Sequence, residues 1–194
     1  MRTVSVQKIA GVLRVLICAA LVCNLIILYL IPAAVLLDSQ DLLGGVWEYL
    51  SGIFFPGEDG IVMAGIAGSF LAWVWVWQDA CAAMLTLFLT LSGVCTAIIL
   101  RQAHQVLKAI LQGKPFSTEN AVCLRRAAVC GFVISAAALI RLVFSLFYTR
   151  SLLPLTTYNA LFVPVFAMFG LLCLVMSALF RQAAELKEEN DLII

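Results

Sequence analysis

Residues 101–126 read RQAHQVLKAILQGKPFSTENAVCLRR, a polar stretch set between two long apolar runs, Ala80–Leu100 and Ala127–Tyr148. It carries Arg101, Lys108, Lys114, Arg125 and Arg126, five of the twelve basic residues in the chain. Short loops rich in Lys and Arg stay on the cytoplasmic side of a membrane, so this stretch is expected inside. The remaining topology is read outward from it.

Two further runs, Val15–Leu37 and Ala160–Phe180, match the first two in length, and only Arg141 interrupts the four. Each meets the roughly 20 residues that a helix needs to cross about 30 Å of hydrocarbon. In lipid every backbone N–H must be satisfied within a helix or a closed barrel. Barrel strands run about 9–11 residues and alternate, which these runs do not, so helices are expected. Composition agrees: mean hydropathy is +1.09, and 12% of residues are charged, half the roughly 25% of a soluble domain. Arg2, Lys8 and Arg14 before Val15–Leu37 look like the start of a signal peptide. The run exceeds the 7–15 apolar residues of such a segment, so a retained span is expected.

A fifth apolar run, Ile61–Trp77, holds Gly65 and Gly68 and ends in Trp73, Trp75 and Trp77. A crossing there would carry 101–126 to the outside, against its charge. It would also leave only Gln78 and Asp79 to turn the chain. Tryptophans beside a polar dipeptide suit the headgroup layer. A re-entrant or interfacial outer segment is therefore expected, with an extension of the second span as the competing reading. The loop 38–79 then lies outside with Asp38, Asp41, Glu48, Glu58, Asp59 and Asp79 and no Lys or Arg. Of the basic residues, only Arg141 and Arg150 fall outside the cytoplasmic segments.

The expected fold is all-α: an integral membrane four-helix bundle, N-in/C-in, in one transmembrane domain. Its spans cover about 12–37, 80–112 with a cytoplasmic extension, 120–148 and 158–184, with a cytoplasmic tail over 182–194. Ala103, Val106, Leu107, Ile110 and Leu111 recur at helical spacing opposite Arg101, Gln105, Lys108 and Gln112, which predicts that extension. Gly113, Lys114 and Pro115 end it. Ser117, Thr118 or Asn120 can cap the next helix, with Glu119 near its positive end.

No enzyme signature is present: no nucleophile–base pair, no phosphate-binding glycine loop, no H-E-x-x-H, and one histidine, His104. No catalytic activity, cofactor or metal is expected. His104 is read as an exposed or interfacial residue of the extension. The seven cysteines lie in or beside apolar runs without a C-x-x-C pair, and are read as small buried packing residues. A net charge of +1 provides no field to recruit nucleic acid directly.

Three intramembrane polar residues stand out: Asn24, Asp79 and Arg141. Arg141 lies about 22 Å along the helix from Arg126, in the outer part of the third span. An arginine at mid-bilayer costs roughly 2.5–3.5 kcal/mol, and less near the interface. It either snorkels to the outer headgroups, pairs inward with Asp79 or Asp38, or binds an anionic ligand or lipid. An inward Arg141 near an outer carboxylate is the expectation. Asn24 is read as an interhelical hydrogen-bonding residue. Pro32 and Pro164 are expected to bend their helices.

The tail reads RQAAELKEENDLII over 181–194, acidic through Glu185, Glu188, Glu189 and Asp191 and apolar at its end. Two readings stand: a solvated helical extension, or a docking peptide for the basic 101–126 loop or for a partner.

Gly113, Pro115, Phe116, Ser117, Asn120, Leu124 and Arg125 fit a G-x-P-F-[ST]-x-x-N-x-x-x-L-[RK] loop, and 185–192 with Ile194 fit an E-L-K-E-E-N-D-L-[TV]-I ending. In both the chain resembles a bacterial membrane family of unknown function, the YoaS-like family. Ile193 departs from it where threonine is common. The resemblance covers about 30 residues and implies no catalysis. It implies a multi-pass protein of the bacterial cytoplasmic membrane and, as partner, a small Xre/Cro-like helix-turn-helix regulator. The partner-binding residues expected on the cytoplasmic face are Arg101, Lys108, Pro115, Phe116, Asn120, Arg125 and Arg126, with Glu185, Lys187, Glu188, Glu189 and Asp191 from the tail. Membrane lipid and a second copy of the chain are the other expected partners. A small-molecule or lipid-binding or transport bundle is the rival function.

Overall fold

A computed structural model describes residues 2–39, 68–112, 117–150 and 158–191, with side chains over 11–35, 68–112, 117–150 and 160–189. Its described residues are helical, with no strand among them. The elements are α1 (Arg2–Ser39), α2 (68–75), a 3-10 turn (Val76–Gln78), α3 (Ala80–Leu111), α4 (Thr118–Thr149) and α5 (Tyr158–Asp191). Four of them, α1, α3, α4 and α5, are long and apolar enough to cross a membrane. The chain divides into two compact units, Leu25–Leu91 and Met1–Asn24 with Ser92–Ile194.

In the unit Leu25–Leu91, Ile31 and Val35 of α1 pack with Val76 and with Ala82 of α3. Leu28, Leu85 and Leu89 complete the cluster, so each helix contributes residues three and four apart. Val76 has no exposed surface. Asp79 then takes extended backbone angles, φ −107° and ψ 123°, and separates the 3-10 turn from α3. Its carboxylate accepts the amide of Ala82 at 3.0 Å and of Cys81 at 3.4 Å. A carboxylate is well suited there because the first amides of a helix lack partners and carry partial positive charge. The tryptophan-bearing piece is thus a separate helical element rather than a continuation of α3. Residues 68–75 are helical and lead directly into the 3-10 turn. Residues 61–67 of that apolar run lie outside the described residues.

In the other unit α4 and α5 run antiparallel at close quarters. The Ser177 hydroxyl donates to the Ala121 carbonyl at 2.7 Å, and the Ser135 hydroxyl donates to the Val163 carbonyl at 2.8 Å. Between these bonds Gly131 faces Gly170. A Cβ on Gly170 would lie 3.2 Å from the Ala128 carbonyl oxygen, and one on Gly131 2.9 Å from Phe169 Cδ1. Small residues on α4, Ala127, Ala128, Gly131, Ser135 and Ala138, are buried and let the two backbones approach. Cys95, Cys130 and Ile134 form a buried cluster with Ile99 and Phe166 against it.

The outward faces are apolar. On α5, Leu161, Leu172 and Val175 are each more than half exposed. Only 6% of that helix's apolar window is buried, against 39% for α4. Water does not tolerate that much contiguous apolar surface, which suits helices able to cross a membrane; among the four, α4 is the most enclosed by protein and α5 the least. Both α1 and α5 run as helix through their prolines, Pro32 and Pro164. At the end of α4, Arg150 is left-handed with φ 48° and ψ 31°, a conformation that usually falls to glycine after a helix.

Candidate functional site

The charged residues that interrupt the apolar pattern gather where α3 ends and α4 begins. The expected amphipathic extension of α3 is present through Leu111. Arg101, Gln105, Lys108 and Gln112 are exposed while Ala103, Val106, Leu107, Ile110 and Leu111 are half-buried. Pro115 and Phe116 lie outside the described residues. Of the three capping candidates it is Ser117 that acts, its hydroxyl accepting the Asn120 amide at 3.3 Å. Asn120 is buried, 3% exposed, and so contributes to the helix pair rather than to an open surface.

Between the two helix ends lies a groove of about 480 Å³. Its walls include Gln105 and Lys108 from α3, Gln112 just after it, and Glu119, Cys123 and Arg126 from α4. The Cys123 thiol donates to Gln105 Oε1 at 3.4 Å across it. A second, apolar pocket of about 440 Å³ adjoins it deeper along the helices, sharing Val122 and Arg126. Ile98, Val129 and Cys130 line that pocket and Arg125 joins Arg126 at its rim. Lys108, Arg125 and Arg126 are exposed and make no salt bridge among the described residues.

Helix α5 brings the acidic tail to the same end, since the Ser177–Ala121 bond joins it to the first turns of α4 and Ala184 is buried. The tail continues as helix to Asp191. Glu185 is held by Arg181 of its own helix at 2.9 Å. Lys187, Glu188 and Glu189 are exposed, and the two glutamates make no salt bridge among the described residues. Of the two readings of the tail, the helical extension fits its described part.

Asn24, Asp79 and Arg141, the polar residues singled out within the apolar pattern, have different surroundings. Asp79 is exposed and engaged as the α3 cap. Arg141 is half-buried in the C-terminal half of α4. Asn24 Oδ1 is buried without a hydrogen-bond partner, as are Oγ1 of Thr86 and of Thr90 and Oε1 of Gln102. His104 Nδ1 lies 3.5 Å from Cys18 Sγ, so the histidine links α3 to α1. The sequence marked the groove's Gln105 and Gln112 only as the polar face of the extension, and did not mark Cys123, Ile98 or Val129 as site residues. Their helical spacing was visible there, but not which faces oppose.

Residues 62–194 match the model of a family described as Protein of unknown function (DUF2975). The chain belongs to this family. The match takes in α2 to α5, and so the groove, the close α4–α5 pair and the acidic tail; α1 precedes it. No curated protein and no solved structure matches the chain.

Proposed function

We propose that this member of the family is a non-enzymatic multi-pass protein of the bacterial cytoplasmic membrane, N-in/C-in, that holds a soluble partner on its inner face. The partner of choice is a small helix-turn-helix regulator, as the YoaS-like resemblance implies, kept from DNA while tethered. The observation that carries the proposal is the pairing of uncommitted charges at one end of one compact unit. Lys108, Arg125 and Arg126 are exposed beside the groove, and Glu188 and Glu189 are exposed on the helix that packs against α4. A partner carrying both signs meets complementary charge from both, which sets orientation and speeds encounter.

The topology is supported by the basic content of 101–126 and by an outer loop over 38–79 without Lys or Arg. Alkaline phosphatase fused after Arg150 should be active and after Gln112 inactive; the opposite pattern refutes the orientation. For the partner, the intact protein is purified from its native membrane and what is retained is identified. Retention of a DNA-binding regulator, lost in a Lys108→Glu/Arg126→Glu variant, supports the proposal, and a membrane preparation that holds none refutes it. The rival reading, a small-molecule or lipid-binding or transport bundle, is favoured by one observation: the apolar pocket next to the cations.

A further inference from the structure

We propose that the α3–α4 groove binds an anionic phospholipid. Its phosphate sits between Lys108 and Arg126, and an acyl chain lies in the adjoining pocket of Ile98, Val129 and Cys130. The inference rests on the two cavities and stands independently of partner docking.

The two cavities share Val122 and Arg126, so one molecule can occupy both. Their chemistry changes in one direction along the helices. Gln112 and Glu119 lie at the aqueous end, Lys108 and Arg126 come next, and Ile98 and Val129 lie deepest. From Gln112 to Ile98 the helix descends about 21 Å, enough to pass from the headgroup layer well into hydrocarbon. A soluble anion would use only the polar half and a free hydrocarbon only the other half. A phospholipid matches the whole gradient. Lys108, Arg125 and Arg126 outweigh the single carboxylate of Glu119, so a net negative headgroup is selected over a zwitterionic one. Val122 and Val129 are about half exposed, leaving the pocket open toward lipid.

The full chain is purified in detergent and offered phosphatidylglycerol or phosphatidylcholine of identical acyl chains, with bound lipid counted by native mass spectrometry. The expected result is a preference for phosphatidylglycerol. Each cation contributes about fivefold, so Lys108→Gln/Arg126→Gln should reduce the preference about 25-fold. Val129→Phe, on an exposed position that leaves the fold intact, should fill the pocket and weaken both lipids alike. Arg14→Gln/Arg150→Gln removes the same charge elsewhere and should change nothing. The proposal is overturned by equal binding of the two lipids, or by loss in the control pair equal to that in the groove pair. It is also overturned if Val129→Phe leaves binding unchanged, which keeps it testable should the groove pair fail to fold. Displacement by millimolar inorganic phosphate would assign the groove to a soluble anion. Capture of an acidic helical peptide without lipid preference would assign it to a protein. Both outcomes overturn the lipid, whereas failure of the co-purification above leaves it standing.

Discussion

Adding one methyl group at each of the two facing glycines should have unequal consequences. In Gly131→Ala the new Cβ lies 2.9 Å from Phe169 Cδ1 and 3.4 Å from the Gly170 backbone. The close contact is with a side chain, and the backbone contact is ordinary. A small rotation of the Phe169 ring relieves it, while alanine gains up to about 1 kcal/mol over glycine in a helix interior. Gly131→Ala should therefore stay within about 1 kcal/mol of the parent. In Gly170→Ala the Cβ lies 3.0 and 3.1 Å from the Phe132 ring and 3.2 Å from the Ala128 carbonyl oxygen. The oxygen belongs to the α4 backbone and moves only if the helices separate. Overpacking of this kind costs typically 1–3 kcal/mol, so after the alanine gain a net loss of about 1–2 kcal/mol is expected.

Cys95 and Cys130 are both buried in the cluster beside this contact and serve as the reporter. With the other five cysteines replaced, maleimide labelling of these thiols follows transient opening of the pair. Each 1.4 kcal/mol is about tenfold in labelling rate, so Gly170→Ala should label about 5–30-fold faster than parent and Gly131→Ala within about fivefold of it. Equal rates for the two variants, or a faster Gly131→Ala, would refute the register of α4 against α5.

Three other outcomes follow from single residues. Asp79→Ala should lower thermal stability in detergent by about 1 kcal/mol by uncapping α3, and Asp79→Asn should restore most of it. Ser117→Ala should cost a similar ~1 kcal/mol, whereas Thr118→Ala, at an exposed position, should change the melting temperature little. Thr86 is 1% exposed with its hydroxyl oxygen unpartnered, so Thr86→Val should be neutral or stabilising by about 1 kcal/mol, and a loss would reveal a partner.

Span number and the amphipathic extension were legible because they depend on local pattern. Hydrocarbon thickness sets the length of Ala80–Leu100 and Ala127–Tyr148, and the three- and four-residue spacing of Ala103 to Leu111 marks one helix face. The cap was narrowed to Ser117, Thr118 or Asn120, and hydrogen-bond geometry alone chose Ser117. Asp79 was read as a candidate ion-pair partner for Arg141 from its charge. Its use as a helix cap depends on the backbone break at that residue, which composition does not specify. The groove was only half legible: Lys108, Arg125 and Arg126 drew notice as charges. Gln105 and Gln112 were seen only as part of a polar helix face, and Cys123 only as one more cysteine, since spacing within one helix does not say which neighbour that face meets.

Four segments long and apolar enough to cross a membrane could be read from the sequence, because hydrocarbon imposes length and apolarity on each segment separately. Only the tertiary structure decided which helices touch and along which faces. Hydropathy is almost uniform around each span, so it cannot orient one. The facing of Gly131 on Gly170 is set by shape, by where two backbones can approach within reach of a carbonyl oxygen, and Lys108 and Arg126 come to line one groove because the ends of α3 and α4 lie side by side.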